Sequence, residues 1–189
     1  MSRTTTLTIP EYDRMIECGA FAGPNHKPVE LIRGELRMMS PQRAEHAELV
    51  AQLNDWSHDV VDRRRIKIRI QSSVEIPKLS TQPEPDVVWA EFQSYARRRP
   101  EPHEILLLIE VADSSLPFDL REKCDLYAES RIRDYWVFDI PNRLVHVFRD
   151  PSSGAYQSWD KLSTNEHLTP LLVDHVSTDV ARMFACLEE

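Results

Sequence analysis

The 189 residues hold only three cysteines, Cys18, Cys124 and Cys186, odd in number and widely spaced. With no C-x-x-C pair, they argue against both a disulfide framework and a zinc finger, and they suit a reducing cytoplasm. The histidines form no H-x-H or H-E-x-x-H pattern, so no histidine-based zinc site is indicated. Long apolar runs are missing as well. The longest aliphatic stretch, Ile105-Leu106-Leu107-Leu108-Ile109, falls far short of the ~20 residues a membrane span requires, and no membrane partner is expected. Met1 to Thr6 lacks the apolar segment of a signal peptide. No Gly/Ser linker divides the chain, which reads as one domain over residues 1–189. Positive charge is also in deficit: 23 Lys+Arg stand against 31 Asp+Glu, a formal net charge of −8. That excludes a general nucleic-acid coat, whose binding is dominated by cation–phosphate contacts. It leaves open a nuclease, whose metal-binding carboxylates add local negative charge. The rest of the composition, 41% hydrophobic and 29% charged, is that of a soluble globular protein.

Local patterns give the order of elements. Thr8-Ile9-Pro10-Glu11 has the spacing of a capping box and opens a helix that Gly19 closes. Val29-Glu30-Leu31-Ile32 and Glu35-Leu36-Arg37-Met38 read as short strands around Gly34. A long helix is expected from about Ala44 to Arg64, where Ala47, Val50, Leu53, Val60 and Val61 recur near helical spacing. Ile66 to Ile70 alternates as a half-buried strand does. Val87-Val88-Trp89 and Ile105 to Val111 lack alternation, as strands covered on both faces do. Asp119 to Arg131 is helical in composition, and Tyr135 to Phe138 with Leu144 to Phe148 form a hairpin. A short helix near Val180 to Phe184 ends the chain. The expected fold class is α/β (α+β), a mixed central sheet flanked by helices.

Two acidic residues stand out by position. Asp86 follows Pro85 and directly precedes the apolar strand Val87-Val88-Trp89, and Glu110 lies inside the most hydrophobic run of the chain. An ionised carboxylate there costs several kcal/mol unless paired or coordinated. One reading is that the two bind a hard divalent ion through oxygen. The other is that Asp86 caps a turn while Glu110 pairs with a buried arginine. Asp119, Lys123 and Tyr127 stand at i, i+4 and i+8 and form one helical stripe, from which Lys123 could reach the end of the Glu110 strand. Taken alone, Asp119–Lys123 reads as a solvated helix pair, and Tyr127 reads as core packing.

Several motifs occur in order: Glu30-Leu31-Ile32-Arg33-Gly34-Glu35-Leu36, Met39-Ser40-Pro41 with His46, Pro85-Asp86-Val87-Val88, Glu110-Val111-Ala112-Asp113-Ser114-Ser115 with Asp119, Lys123 and Tyr127, and Tyr135-Trp136-Val137-Phe138-Asp139. In this the chain, from about Leu7 to Phe184, resembles the Uma-type restriction endonuclease family of the PD-(D/E)xK nuclease superfamily. The resemblance implies a restriction-endonuclease-like fold and metal-assisted hydrolysis of phosphodiester bonds. Asp86 then matches the Asp of the Pro-Asp element, and Glu110 matches the acid of the second element. Both become ligands of Mg²⁺, for which Mn²⁺ can substitute. The superfamily's lysine usually stands two residues after that acid, where this chain has Ala112, and Lys123 is the candidate for a lysine relocated to the neighbouring helix. An upstream acid is also implied. Glu35 fits best and Glu30 second, and on an unbroken strand the two would face opposite ways.

The expected partner is nucleic acid, DNA first, and a homodimer suits both the commonness of twofold assemblies and the cutting of two strands. Arg63-Arg64-Arg65 with Lys67 and Arg69, and Arg97-Arg98-Arg99, are candidate phosphate contacts, although alternating charge on a strand is more often its wet face. His46 is left without a role. Trp56, Trp89, Trp136 and Trp159 read as core or interface residues. Two other functions compete with the endonuclease. One is a nuclease-fold binding or assembly module without catalysis, which Ala112 favours. The other is a glycosidase acid/base pair, which needs an open sugar cleft and no nearby lysine.

Overall fold

Side chains alternate along the central strands, and this alternation decides which helical layer covers each residue. The structure, a computed structural model, describes residues 5–23, 28–173 and 175–188; most of the Met1–Thr6 segment lies outside them. The chain forms α1 (Ile9–Glu17), β1 (Val29–Ile32), β2 (Glu35–Met38), α2 (Ala44–Val60), β3 (Ile66–Ile70), β4 (Val87–Glu91) and β5 (Ile105–Ala112). A helix over residues 116–129, α3, leads to β6 (Asp134–Asp139), β7 (Leu144–Ser152) and β8 (Ala155–Leu162). The short strands β9 (His167–Leu168) and β10 (Thr178–Asp179) and the helix α4 (Val180–Phe184) complete it. Strands β3 to β8 form one six-stranded sheet in sequence order. Every pairing is antiparallel except β5 with β6, the pair that α3 connects.

One face of the sheet presents Trp89, Leu107, Ile109, Val111, Trp136 and Phe138 to α2 and α4. Trp56 from α2 stacks on Trp89 with ring centroids 5.2 Å apart, and the Trp89 indole N–H donates to Ser57 Oγ at 2.9 Å. The other face presents Val88, Leu108, Ala112, Tyr135 and Val137 to Leu126 and Tyr127 of α3. Position 110 has the parity of Leu108 and Ala112, so Glu110 points into the α3 layer. Among the described residues, no helix is long and apolar enough to cross a membrane.

The expected elements form, with three differences. The long helix stops at Val60, because Val61 takes extended backbone angles as the chain turns toward β3. The helix after Pro117 begins at Leu116 and is π-helical over Asp119–Lys123 before continuing over Cys124–Glu129. Strand β8 was not expected. It pairs with β7 through a turn at Ser153 and Gly154 and forms an exposed sheet edge, which needs few apolar residues. At that edge Trp159 is 53% exposed and stacks over His146 and Phe148, whereas the other three tryptophans are buried.

The β1–β2 hairpin turns on Arg33 and Gly34, both with positive φ, the backbone of a type I′ turn. Gly34 is held between neighbours: its C=O accepts from Leu7 N–H at 2.8 Å, and its N–H donates to Ser80 O at 2.9 Å. A Cβ at this position would lie 2.6 Å from Thr6 Cβ and 2.9 Å from Leu7 O. Gly34→Ala should therefore cost roughly 1–3 kcal/mol, read as a lower urea midpoint at unchanged m. A midpoint equal to wild type would show that the N-terminal segment yields freely.

Candidate active site

Glu110 reaches the α3 layer at the point where the π-helical turn delivers a cation. Lys123 Nζ donates to Glu110 Oε1 at 2.9 Å, and the Tyr127 hydroxyl donates to the same oxygen at 2.8 Å. The ammonium also lies 3.6 Å from Glu30 Oε2 and 3.8 Å from Asp119 Oδ1. Glu30, Glu110, Asp119 and Lys123 are all at most 5% exposed. A single π turn offsets the side chains that follow it by a fraction of a turn, a distortion frequent at functional sites. Here the turn contains both Asp119 and Lys123. Ala112, on the same face as Glu110, leaves the space beside the acid to the helix-borne lysine.

Strand pairing brings the second acid to the same place. The antiparallel register sets Val87 beside Ile109, so Asp86, one residue earlier, stands across from Glu110. Asp86 Oδ2 accepts from Val111 N–H at 2.8 Å and contacts His46 Nε2 at 3.2 Å. Its Oδ1 accepts from Gln71 Nε2 at 3.3 Å. His46 comes from the first turn of α2, so residues of β1, β2, α2, β5 and α3 and of the segment before β4 converge on one cleft of about 280 Å³. Its wall also includes Glu84, two residues before Asp86, and its rim carries Arg37 and Arg43.

The structure therefore gathers Asp86, Glu110 and Lys123 but not Glu35. That carboxylate is exposed on β2, all of whose residues are exposed, with Arg37 at 3.6 Å. Glu30 is the acid that turns inward. Alternation along a strand does not relate the two, because the turn at Arg33 and Gly34 breaks the strand and pairs Ile32 with Glu35. What separates them is the outer position of β2, whose side chains are all exposed. His46 and Glu84 belong to the cleft without having been assigned to it. The closeness of Glu84 to the Pro-Asp element was a usable signal, whereas the approach of His46 to Asp86 spans 40 residues and leaves no local trace.

Carboxylates outnumber cations here, and proton affinities show it. Burial, with Asp119, Asp86 and Glu30 nearby, raises Glu110 well above the usual carboxylate range against the pull of Lys123. Burial opposes the charge of Lys123, but Glu110, Glu30 and Asp119 more than offset that and hold its proton firmly. Burial lowers His46, and the bond to Asp86 with the charges of Asp86, Asp119 and Asp113 outweighs it, so its pKa is raised. Burial raises Asp119 to about 6, against Lys123 and a bond from Ser115 and with help from Asp86 and Glu30. All these shifts have one sense: each group holds its proton above its ordinary range. Among the described residues, no three His, Cys, Asp or Glu side chains already converge as a metal-holding group. The donor set still fits a hard divalent cation, because Mg²⁺ keeps several waters and is commonly held by only one or two carboxylates.

Linkage gives the sign of a pH effect. An acid raised in the folded state stabilises fully below its unfolded value, and that stability is lost as pH rises through the folded value. In metal-free protein, Asp119→Asn should be more stable than wild type at about pH 8, by roughly 1–3 kcal/mol, and the gap should close toward about pH 4. Thermal melts across that range measure it. A gap independent of pH would remove the titration of Asp119 from the account.

Comparison with known proteins follows the same geometry. A family model described as "Uma2: Putative restriction endonuclease" matches residues 9–181. A solved structure described as "a putative nuclease belonging to DUF820 from Anabaena variabilis ATCC 29413" superposes with a TM-score of 0.76 at 12% identity. The superposition covers 96% of this chain and 99% of that one, which establishes a shared fold. No curated protein sequence matches the chain. Because the family match runs from α1 into α4 and includes every element that lines the cleft, the chain belongs to the Uma2 restriction endonuclease family.

Proposed function

We propose that this chain is a divalent-metal-dependent endonuclease that hydrolyses phosphodiester bonds of DNA. The observation that carries the reading is Lys123 Nζ at 2.9 Å from Glu110 Oε1, inside the cleft that also holds Asp86. Buried ion pairs stabilise a fold poorly compared with packed hydrocarbon, so a lysine and several acids at the base of a cleft need a reason other than stability. Family membership and the nuclease described as the structural neighbour support the same reading.

Asp86 and Glu110 would hold Mg²⁺ or Mn²⁺, with Glu30 as the third acid in place of Glu35. A cation there would supply charge to the phosphoryl oxygens and acidify water for attack. The protein's own groups do the rest. Bonds from Val111 N–H, His46 and Gln71 fix the Asp86 carboxylate, and Tyr127 and Lys123 fix Glu110, so neither must reorganise when substrate arrives. Lys123 keeps its proton and acts as a fixed charge toward the phosphoryl oxygens, not as a base. Net reaction adds water across one P–O bond and leaves a phosphate monoester and a free hydroxyl. A homodimer, which would present one cleft to each strand, is part of this proposal.

Purified protein should cut supercoiled or linear DNA with Mg²⁺ or Mn²⁺ and stop when the metal is chelated. Glu110→Gln and Lys123→Met should each lower the rate at least ~100-fold, with thermal melts confirming that both fold. Cleavage unaffected by both substitutions would refute the assignment. A chain that neither cleaves DNA nor RNA nor binds Mn²⁺ would instead be the catalytically inactive module that Ala112 allows.

A further inference from the structure

Two basic segments far apart in the sequence meet at a second cleft of about 390 Å³, between α1, β3 and the loop after β4. Arg69, Arg97, Arg98 and Arg99 line it around Tyr95. Two of these cations are already neutralised. Arg98 forks onto Glu104 at 2.5 and 2.7 Å, and Arg99 forks onto Asp13 at 2.7 and 3.1 Å. Arg69 and Arg97 have no carboxylate partner among the described residues. The Arg69 guanidinium lies 5.4 Å from the Tyr95 ring centroid, and its Nε is buried with no hydrogen-bond partner. A buried donor without an acceptor costs ~1–3 kcal/mol. Burial lowers the proton affinity of Arg69 below the usual arginine range, against the pull of Tyr95 and with a smaller push from Arg99. An unmet planar donor fork beside an exposed second arginine, in a concavity, matches an anion with several acceptor oxygens.

Strand register relates this cleft to the carboxylate site. Arg69 pairs with Val88, and Val88 pairs with Leu108, so the Arg69 side chain leaves the sheet on the Glu110 face. Glu110 lies two residues beyond Leu108. Two strand spacings across and two residues along amount to roughly 12 Å between the two positions. A duplex strand advances ~3.4 Å per nucleotide along its axis and winds about it as well, so that distance spans a few nucleotides at most.

We propose that the Arg69–Arg97 cleft binds a backbone phosphate of the nucleic-acid strand that passes through the carboxylate cleft, a few nucleotides from the bond to be cut. The identity of the ligand rests on the nuclease reading; the capacity for a phosphate does not.

The test is the salt dependence of binding of a labelled short DNA duplex to the full chain in Ca²⁺. Arg69→Gln with Arg97→Gln should lower the slope of log affinity against log salt by about one, the share of one phosphate, and Arg97→Gln alone should lower it by part of that. Arg97→Lys should restore the lost slope. Because Arg97 is exposed, its substitution should leave the melting temperature unchanged, so the test does not depend on tolerance at Arg69. Wild-type slope and affinity in both variants would overturn the proposal. So would stabilisation of wild type, but not of the double variant, by millimolar inorganic phosphate with duplex affinity unaltered, since the site would then take a free anion. A wild-type chain that binds duplex with this slope yet cleaves nothing would sink the nuclease reading and leave this one standing. Cleavage with variants that bind as wild type does would have the opposite meaning.

Discussion

A carboxylate buried in the middle of an apolar strand is the constraint on which the rest of the molecule turns. Bringing Glu110 out of water costs several kcal/mol, and the fold must supply donors at its tip. It does so with Lys123 and the Tyr127 hydroxyl, both from α3 and both on one oxygen. The ammonium is itself buried and needs acids of its own, which brings Glu30 and Asp119 to its other sides. Each compensation buries another charge, so the network grows until it reaches the open cleft. A hydrophobic residue at 110 would have ended the chain of requirements at once. The fold sustains Glu110 beside a π-helical turn at Asp119–Lys123, and the proposed activity is the reason offered for that expense.

The position of the cleft follows from how β4 and β5 pair. They run antiparallel, so the start of one lies beside the end of the other, and Asp86 comes to stand across from Glu110. The Val111 N–H bond to Asp86 Oδ2 then ties the two acids through the backbone of β5 itself. Helix α3 closes the site from the neighbouring β5–β6 connection, and the β1 hairpin contributes Glu30 from outside the main sheet. The apolar centre of the sheet and the buried charges of the cleft therefore share the same few strands.

How much of this could be read beforehand depended on the range of the interaction. Alternation placed β3, and β4, β5 and the β6–β7 hairpin were placed by apolar runs, because strands covered on both faces need apolar residues at consecutive positions. Both missed β8, whose exposed edge imposes no such demand. Asp86 and Glu110 were legible because a charge beside or within an apolar run is anomalous within a few residues of sequence. Lys123 was legible as a stripe with Asp119 and Tyr127, and the resemblance to a known family raised it above an ordinary surface pair. The choice between Glu30 and Glu35 failed for a physical reason: alternation holds only along an unbroken strand, and the hairpin turn resets it. His46 contacts a residue 40 positions away, so although it stood in one of the family's motifs, nothing local tied it to Asp86.

Charge separation across the molecule sets an order of events if the proposed activity holds. The cleft that would meet the scissile phosphate is lined by Glu30, Glu84, Asp86, Glu110 and Asp119, with Lys123 as its one buried ammonium. A phosphodiester approaching it before a cation has bound meets net repulsion, strengthened by the low local dielectric. Affinity for the strand must then come from outside that cleft, from arginines whose charge is not already consumed. At the rim, Arg37 and Arg43 are engaged by Glu122 and Asp113, whereas Arg69 and Arg97 stand free of carboxylates among the described residues. A protein built this way holds the backbone a few nucleotides from the reacting bond and lets the cation decide when the acidic cleft accepts phosphate. The acidic overall charge, which excludes indiscriminate coating of nucleic acid, is then the counterpart of a site that admits its substrate only when loaded.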